Sequence, residues 1–440
     1  MDKASNTQTS AAVPAQRNER IELTNEWHAR PNISLPAPFR CTHVVELRNG
    51  KSPGQCRQEL ADFCGEHGQS QPAAGSRYHL VEVGSCLIKW ESHTEATSHT
   101  ILVPGNGKPP FSESAIDFLD QGKRQSLIDG MFVGVQVEVL TETDDEDPQG
   151  YKLAQSLLGA SAIYGGWMAG RSAAVWSSFR LDSRGFVRVV IVDLGINEER
   201  LARLLQRLLD METYRMLAMM ALPSARQVMS TLQELEPQLD AVMRSLATHH
   251  DEEAQEQALR QMTGIAARVE QLASSHASRF AGARAYASIA ERRADEVTEE
   301  ALGNHQRYTS FLLRALQPAM RTCDAAERRT HEVAERVSRA ANLLRTMVDM
   351  EQTRQSHGIL ESMAERAKLQ LRLQQAVEGF SIFAISYYAV GMIKYMLDAA
   401  GVAGLGVSST LLTGIAAPLV FALVWFSVRA VRRRLVERGE

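Results

Sequence analysis

FSIFAISYYAVGMI (residues 380–393) and LLTGIAAPLVFALVWFSV (residues 411–428) decide how this chain reads. A bilayer core about 30 Å thick takes roughly 20 residues of helix, and each stretch with its flanks is about that long. The segment between them carries Asp398 and then no Lys or Arg as far as Thr410. The outer flanks are basic: Arg366, Lys368 and Arg372 before, and Arg429, Arg432, Arg433, Arg434 and Arg438 after. Lys and Arg collect on the cytoplasmic side of a membrane. The pattern predicts a two-helix transmembrane hairpin over 378–428, its loop outside, and a basic cytoplasmic tail at 429–440. Arg429, Arg432, Arg433 and Arg434 set that orientation. Both termini are then cytoplasmic, and the lipid bilayer is the first expected partner.

Working outward, residues 196–377 are dense in Ala, Leu, Glu, Gln and Arg, all good helix formers. Pro223, Pro237 and Pro318 are the breakers. Val333, Val337, Ala340, Leu344 and Met347 recur at the 3,4 spacing of a helical seam. The reading is a long, coiled-coil-like helical stalk, its last helix running over about 324–378 into the first span. Such a seam points to a homo-oligomer.

Residues 21–195 change character. Runs at 42–47 (THVVEL), 78–83 (YHLVEV), 85–90 (SCLIKW), 97–103 (TSHTILV) and 131–140 (MFVGVQVEVL) are rich in β-branched residues with partial alternation, and so are 170–179 and 186–194. Residues 51–67 and 112–120 are candidate helices, and 141–150 (TETDDEDPQG) an acidic loop. The fold class is α+β: an N-terminal mixed α/β domain, a helical stalk and a C-terminal hairpin. Residues 1–20 lack an apolar core and read as a disordered lead-in. The 440 residues carry a net charge of −4 and a mean hydropathy of −0.22, with no basic excess to suggest nucleic acid. The five cysteines include no CxxC pair, and their odd number fits a reducing compartment.

Two polar rows stand out. Glu91, His93 and Glu95 alternate after Trp90, and side chains two apart share a face of an extended chain. A carboxylate–imidazole–carboxylate row is a plausible ligand set for a divalent metal, the one cofactor this chain suggests. It suits acid–base chemistry as well, and a polar strand end is the plain alternative. Glu26 and His28, with Arg30 before Pro31, repeat the spacing and could join the same metal site or simply pack on the sheet. His99 continues the register.

Residues 165–171 (GGWMAGR) lack the Lys-Ser/Thr of a phosphate loop and read as a glycine turn. Glu212 and Arg215 are spaced to pair on a helix surface; Met216, Met219 and Met220 read as core. No Gly-x-Ser-x-Gly elbow occurs, and no enzymatic activity is expected. In the first span Ser381, Tyr388 and Met392 fall on one face with Gly391 nearby: a pore-lining stripe, or a helix-packing face of small and hydroxyl residues. Lys394 at the outer boundary is awkward for a cation pore.

Several strings carry a resemblance. Asn25-Glu26-Trp27-His28-Ala29-Arg30-Pro31, Lys89-Trp90-Glu91-Ser92-His93-Thr94-Glu95, Met211-Glu212-Thr213-Tyr214-Arg215-Met216 and Ile385-Ser386-Tyr387-Tyr388-Ala389-Val390-Gly391 are similar to a bacterial family of membrane-anchored proteins, domain of unknown function 3422. The resemblance implies a location, the bacterial inner membrane, and no mechanism. The domain order also resembles CorA-type divalent-cation channels, whose Gly-Met-Asn motif is matched here at Gly391 and Met392, with Ile393 in place of the Asn. The expectation is a cytoplasmic sensing or scaffold domain tethered by the hairpin. The alternative is a CorA-like oligomeric channel.

Overall fold

In a computed structural model, residue 20 and residues 33–141, 146–248, 252–399 and 409–436 are described. The expected lead-in and the loop at 400–408 lie outside them. The chain divides into two compact units, Met1–Ala340 and Ala341–Glu440. The first holds an eight-stranded sheet together with the helices that follow it.

The strands are β1 (Phe39–Leu47), β2 (Tyr78–Val83), β3 (Cys86–Ser92), β4 (Ala96–Pro104), β5 (Met131–Leu140), β6 (Tyr164–Met168), β7 (Ala173–Leu181) and β8 (Val187–Asp193). They lie in the order β2-β3-β4-β1-β5-β8-β7-β6. Every neighbouring pair is antiparallel except β5 with β8, which run parallel. Seven of the eight coincide with β-branched runs in the sequence. The eighth, β6, contains the glycines expected to form a turn. Gly165 and Gly166 are extended there by pairing with β7, at positions where the chain packs too closely for a side chain. A Cβ on Gly165 would lie 1.8 Å from the Val175 carbonyl oxygen, and one on Gly166 2.5 Å from that of Glu300. The turn itself is Ala169-Gly170-Arg171, all three with positive φ.

Local chemistry starts the helices. Helix α1 (Pro53–Glu66) opens with a capping box: Gln55 N donates to Ser52 Oγ at 3.2 Å, and Ser52 N to Gln55 Oε1 at 2.8 Å. Residues 115–118, expected to be helical, form a single 3-10 turn, followed by α2 (Gln121–Asp129). Asp147, in the acidic loop, is buried and accepts the Tyr151 and Lys152 amides that open α3 (Tyr151–Leu158). Then come α4 (Glu198–Met219), capped by Asn197, α5 (Ala221–Thr248), α6 (Glu252–Glu296) and α7 (Tyr308–Ala399).

The sheet is covered on both faces, so its central strands are apolar on both sides. Cys41, Val45, Leu102, Val135, Val175 and Ile191 on one face pack with Leu204, Leu208 and Met211 of α4, Ala287 and Ala290 of α6, and Tyr308, Leu312 and Leu316 of α7. On the other face, Val44, Ile88, Trp90 and Ile101 meet Leu60 and Phe63 of α1 and Leu127 of α2. Trp176, Val190 and Val192 meet Ala154 of α3. The seam residues Val333, Val337, Ala340 and Leu344 are buried, and Arg329 and Arg336 of α7 pair with Glu236 and Asp240 of α5.

The second unit contains the remainder of α7 and α8 (Ser409–Val436). The two helices touch through Phe383 and Phe421, ring centroids 5.5 Å apart. Both α7 and residues 410–430 of α8 are long and apolar enough to cross a membrane.

Candidate functional site

The strings 89–95 and 211–216, far apart in sequence, meet across the first face of the sheet. Period-two alternation puts Lys89 and Glu91 of β3, Ser98 and Thr100 of β4 and His43 of β1 on that face, beneath α4 and α6. Lys89 and Glu91 pair at 2.8 Å with side chains only 3% and 7% exposed. Isolated charges at such burial would be costly, so the pair is extended by hydrogen bonds. Lys89 Nζ donates to Gln206 Oε1 at 2.5 Å, and Gln206 Nε2 donates to Asp210 Oδ1 at 2.7 Å. Arg293 of α6 donates to Asp210 at 2.9 Å and to Glu296 at 2.7 Å, and Arg207 also reaches Glu296. Burial pushes the Asp210 carboxyl up, against the pull of Arg293.

His43 sits beside this chain. Its Nδ1 is 2.8 Å from Thr100 Oγ1 and its Nε2 3.0 Å from Thr213 Oγ1. Burial, helped by Lys89 and His93, lowers its pKa to about 3, so the ring is neutral and one nitrogen accepts. One residue from Thr213, Glu212 is 1% exposed and receives both the Tyr308 hydroxyl, at 3.0 Å, and Arg215. The pair with Arg215 forms as its spacing implies, but it is buried rather than on the surface. Tyr308 opens α7, and Glu299 accepts its amide at 2.6 Å and that of Thr309 at 2.9 Å. The strand-to-helix polar layer therefore ends at the first turn of α7.

The three residues of the Glu91–His93–Glu95 row go to three places. Glu91 is held by Lys89. His93 Nε2 is 3.1 Å from Ser98 Oγ, and its ring meets Tyr214 edge-on. Glu95 pairs with Arg279 of α6 at 2.6 Å. Among the described residues no three His, Cys, Asp or Glu side chains gather closely enough to hold a metal ion. The row splits because β3 ends at Ser92, so the alternation that would align the side chains stops before His93. His99 faces the opposite side of the sheet, beside Glu46. Glu26 and His28 lie outside the described residues.

In the second unit, Ser386 is buried, and Ile382, Ala389, Val390 and Ile393 around it are half-buried. Along α8, Leu412, Ala416, Val420 and Val424, each four residues from the next, are half-buried. Ser381, Tyr388 and Met392 are exposed, Ser381 Oγ donating back to the Val377 carbonyl at 2.8 Å. Gly391 is half-buried with open space where a Cβ would stand. The stripe is thus separate from the helix-packing face. Arg429 is exposed on α8; the backbone of Arg432, Arg433 and Arg434 continues that helix, and their side chains lie outside the described part.

The family model for proteins of unknown function DUF3422 matches residues 15–435. The chain belongs to that family. The match spans the sheet, the helices after it and both apolar stretches, so the family is a whole-chain architecture. No curated protein matches the chain.

His43, Gln206, Asp210, Tyr308 and Glu299 were not singled out in the sequence. A signal existed for one partner: Lys89 alternates with the apolar Leu87 on one face of β3, where a lone lysine needs a partner.

Proposed function

We propose that this chain is a bacterial inner-membrane protein. Its sheet-bearing unit faces the cytoplasm and binds or senses a partner there without catalysing a reaction. The apolar end of α7 and α8 form the two-span anchor. One observation carries this reading: α7 starts inside the first unit, with Tyr308 fully buried, and the same helix supplies the first apolar stretch. A change in the polar layer around Glu212 acts directly on the first turn of that helix.

The five native cysteines are all buried, so introduced cysteines report topology cleanly. With D398C and, separately, R438C, an impermeant maleimide added to spheroplasts should label position 398 at once and position 438 only after lysis. Release of the protein from membranes by alkaline carbonate would refute the anchor; labelling of 438 on intact spheroplasts would refute the orientation.

A second reading, a cation channel, draws on the exposed stripe Ser381, Tyr388 and Met392, which is free to line a pore in an assembly of copies. Light scattering in detergent separates the two. A closed ring such as a pentamer favours the channel, and a monomer or dimer excludes it.

A further inference from the structure

On the sheet face opposite the Lys89–Glu91 pair, three titratable groups meet with almost no partners. Glu46 of β1 and His99 of β4 lie side by side, His99 Nδ1 3.5 Å from Glu46 Oε2. That nitrogen is buried and makes no hydrogen bond. Lys123 of α2 is near enough to act on both electrostatically. Its ammonium has no hydrogen-bond or ion-pair partner among the described residues and lies 5.4 Å from the centre of the Phe63 ring. Space for the carboxylate depends on Gly130: a Cβ there would lie 2.3 Å from Glu46 Oε1. The other groups around the cluster are Cys64, which is buried, Asp120, which caps α2, and the exposed pair of Lys51 with Glu59 at 2.6 Å.

A lysine kept from water beside an aromatic ring, with no hydrogen-bond or ion-pair partner for its ammonium, gives up its proton more easily and is then nucleophilic. We propose that Lys123 is a covalent site for a small aldehyde or ketone, with Glu46 as its proton donor. The free amine attacks the carbonyl carbon, forming the N–C bond, and one amine proton passes to the oxygen, giving a carbinolamine. Glu46 then protonates the hydroxyl, which leaves as water. The iminium cation that remains faces the Glu46 carboxylate just formed. His99, neutral, lies beside the acid. The electrostatics agree: burial lowers the Lys123 pKa, raises that of Glu46 and keeps His99 well below its usual range. The site is independent of the membrane reading, and it gives the sensing head a ligand class.

The test uses the full-length protein in detergent with propanal and sodium cyanoborohydride, which traps imines as propylated lysines. Peptide mass spectrometry follows each lysine with time. Lys123 should be modified first, ahead of the exposed Lys108 and Lys152, and its lead should grow as pH is lowered toward neutral. E46Q should erase the lead while the unfolding midpoint is retained. Modification of Lys123 no faster than Lys108 and Lys152 in the native protein overturns the proposal, whatever the variants do. A lead that survives E46Q in a folded protein removes Glu46 as the proton donor.

Discussion

Replacing Lys89 by Met tests the buried polar layer most directly. The substitution keeps the stem, which runs along apolar surface, and removes the charge. Glu91 is then left as a carboxylate 7% exposed with no cation beside it. Breaking a buried pair on one side costs about 3–5 kcal/mol. Gln206 Oε1 also loses its donor, worth about 1 kcal/mol. Part of this is recovered by the apolar Met, so about 3–5 kcal/mol is the expected net loss for K89M. The double variant K89M/E91M removes both charges and should cost far less, about 0–2 kcal/mol, because the desolvation penalty goes with them. The two effects are therefore strongly non-additive. Urea titration in detergent, read by tryptophan fluorescence, measures both, since Trp90 and Trp176 are fully buried in the sheet unit. A K89M loss under 1 kcal/mol, or a double variant as costly as the two singles added, would refute the assignment of Lys89 and Glu91 as a coupled buried pair.

The same titration run against pH reads His43. Its pKa is 6.5 when unfolded and about 3 when folded, so the unfolded chain holds the extra proton between those values. Its contribution is whole above pH 6.5 and is lost as pH falls toward 3; from pH 7 to 5 the loss is about 2 kcal/mol, and H43Q should flatten that slope. Leu312→Ala, at a fully buried position of α7, should lower stability by about 2–5 kcal/mol in the same assay. Gly165→Ala forces a methyl against the Val175 carbonyl and should cost about 3 kcal/mol or more; an unchanged midpoint would mean β6 can move aside. Glu299→Ala removes the acceptor for two amides of α7 and should cost about 1–2 kcal/mol, with faster amide exchange confined to residues 308–311.

Most of the fold was legible because its elements obey simple periods. The β5 run at 131–140 matches its strand to the residue, being β-branched and buried on both faces. Element β6 was hidden because Gly165 and Gly166 carry no strand propensity; what holds them is backbone pairing with residues 300 and 306, which no local window contains. Helix α3 was missed for a similar reason, since Asp147, which accepts its first amides, sits in a loop that reads as solvated acid. At the site, spacing put Glu91, His93 and Glu95 on one face, and the strand does not run far enough to keep them there. Alternation aligns Glu91 with Lys89, and it fails at His93 because the strand has ended. The Lys123–Glu46–His99 cluster joins three elements, so it has no sequence motif.

The pairing of residue 300 with β6 has one more consequence. Glu300 and Trp167 exchange backbone hydrogen bonds, and Gly165 donates to the Gln306 carbonyl, so that end of the sheet is already occupied. Among the described residues, the outer side of β2 is the only edge left without a neighbouring strand. Endless strand-by-strand stacking of one molecule on the next requires two open ends. With one, two copies can join β2 to β2 about a twofold axis, and growth then stops. Among the described residues, the connection between α6 and α7 thus pairs with the second edge that such growth would need.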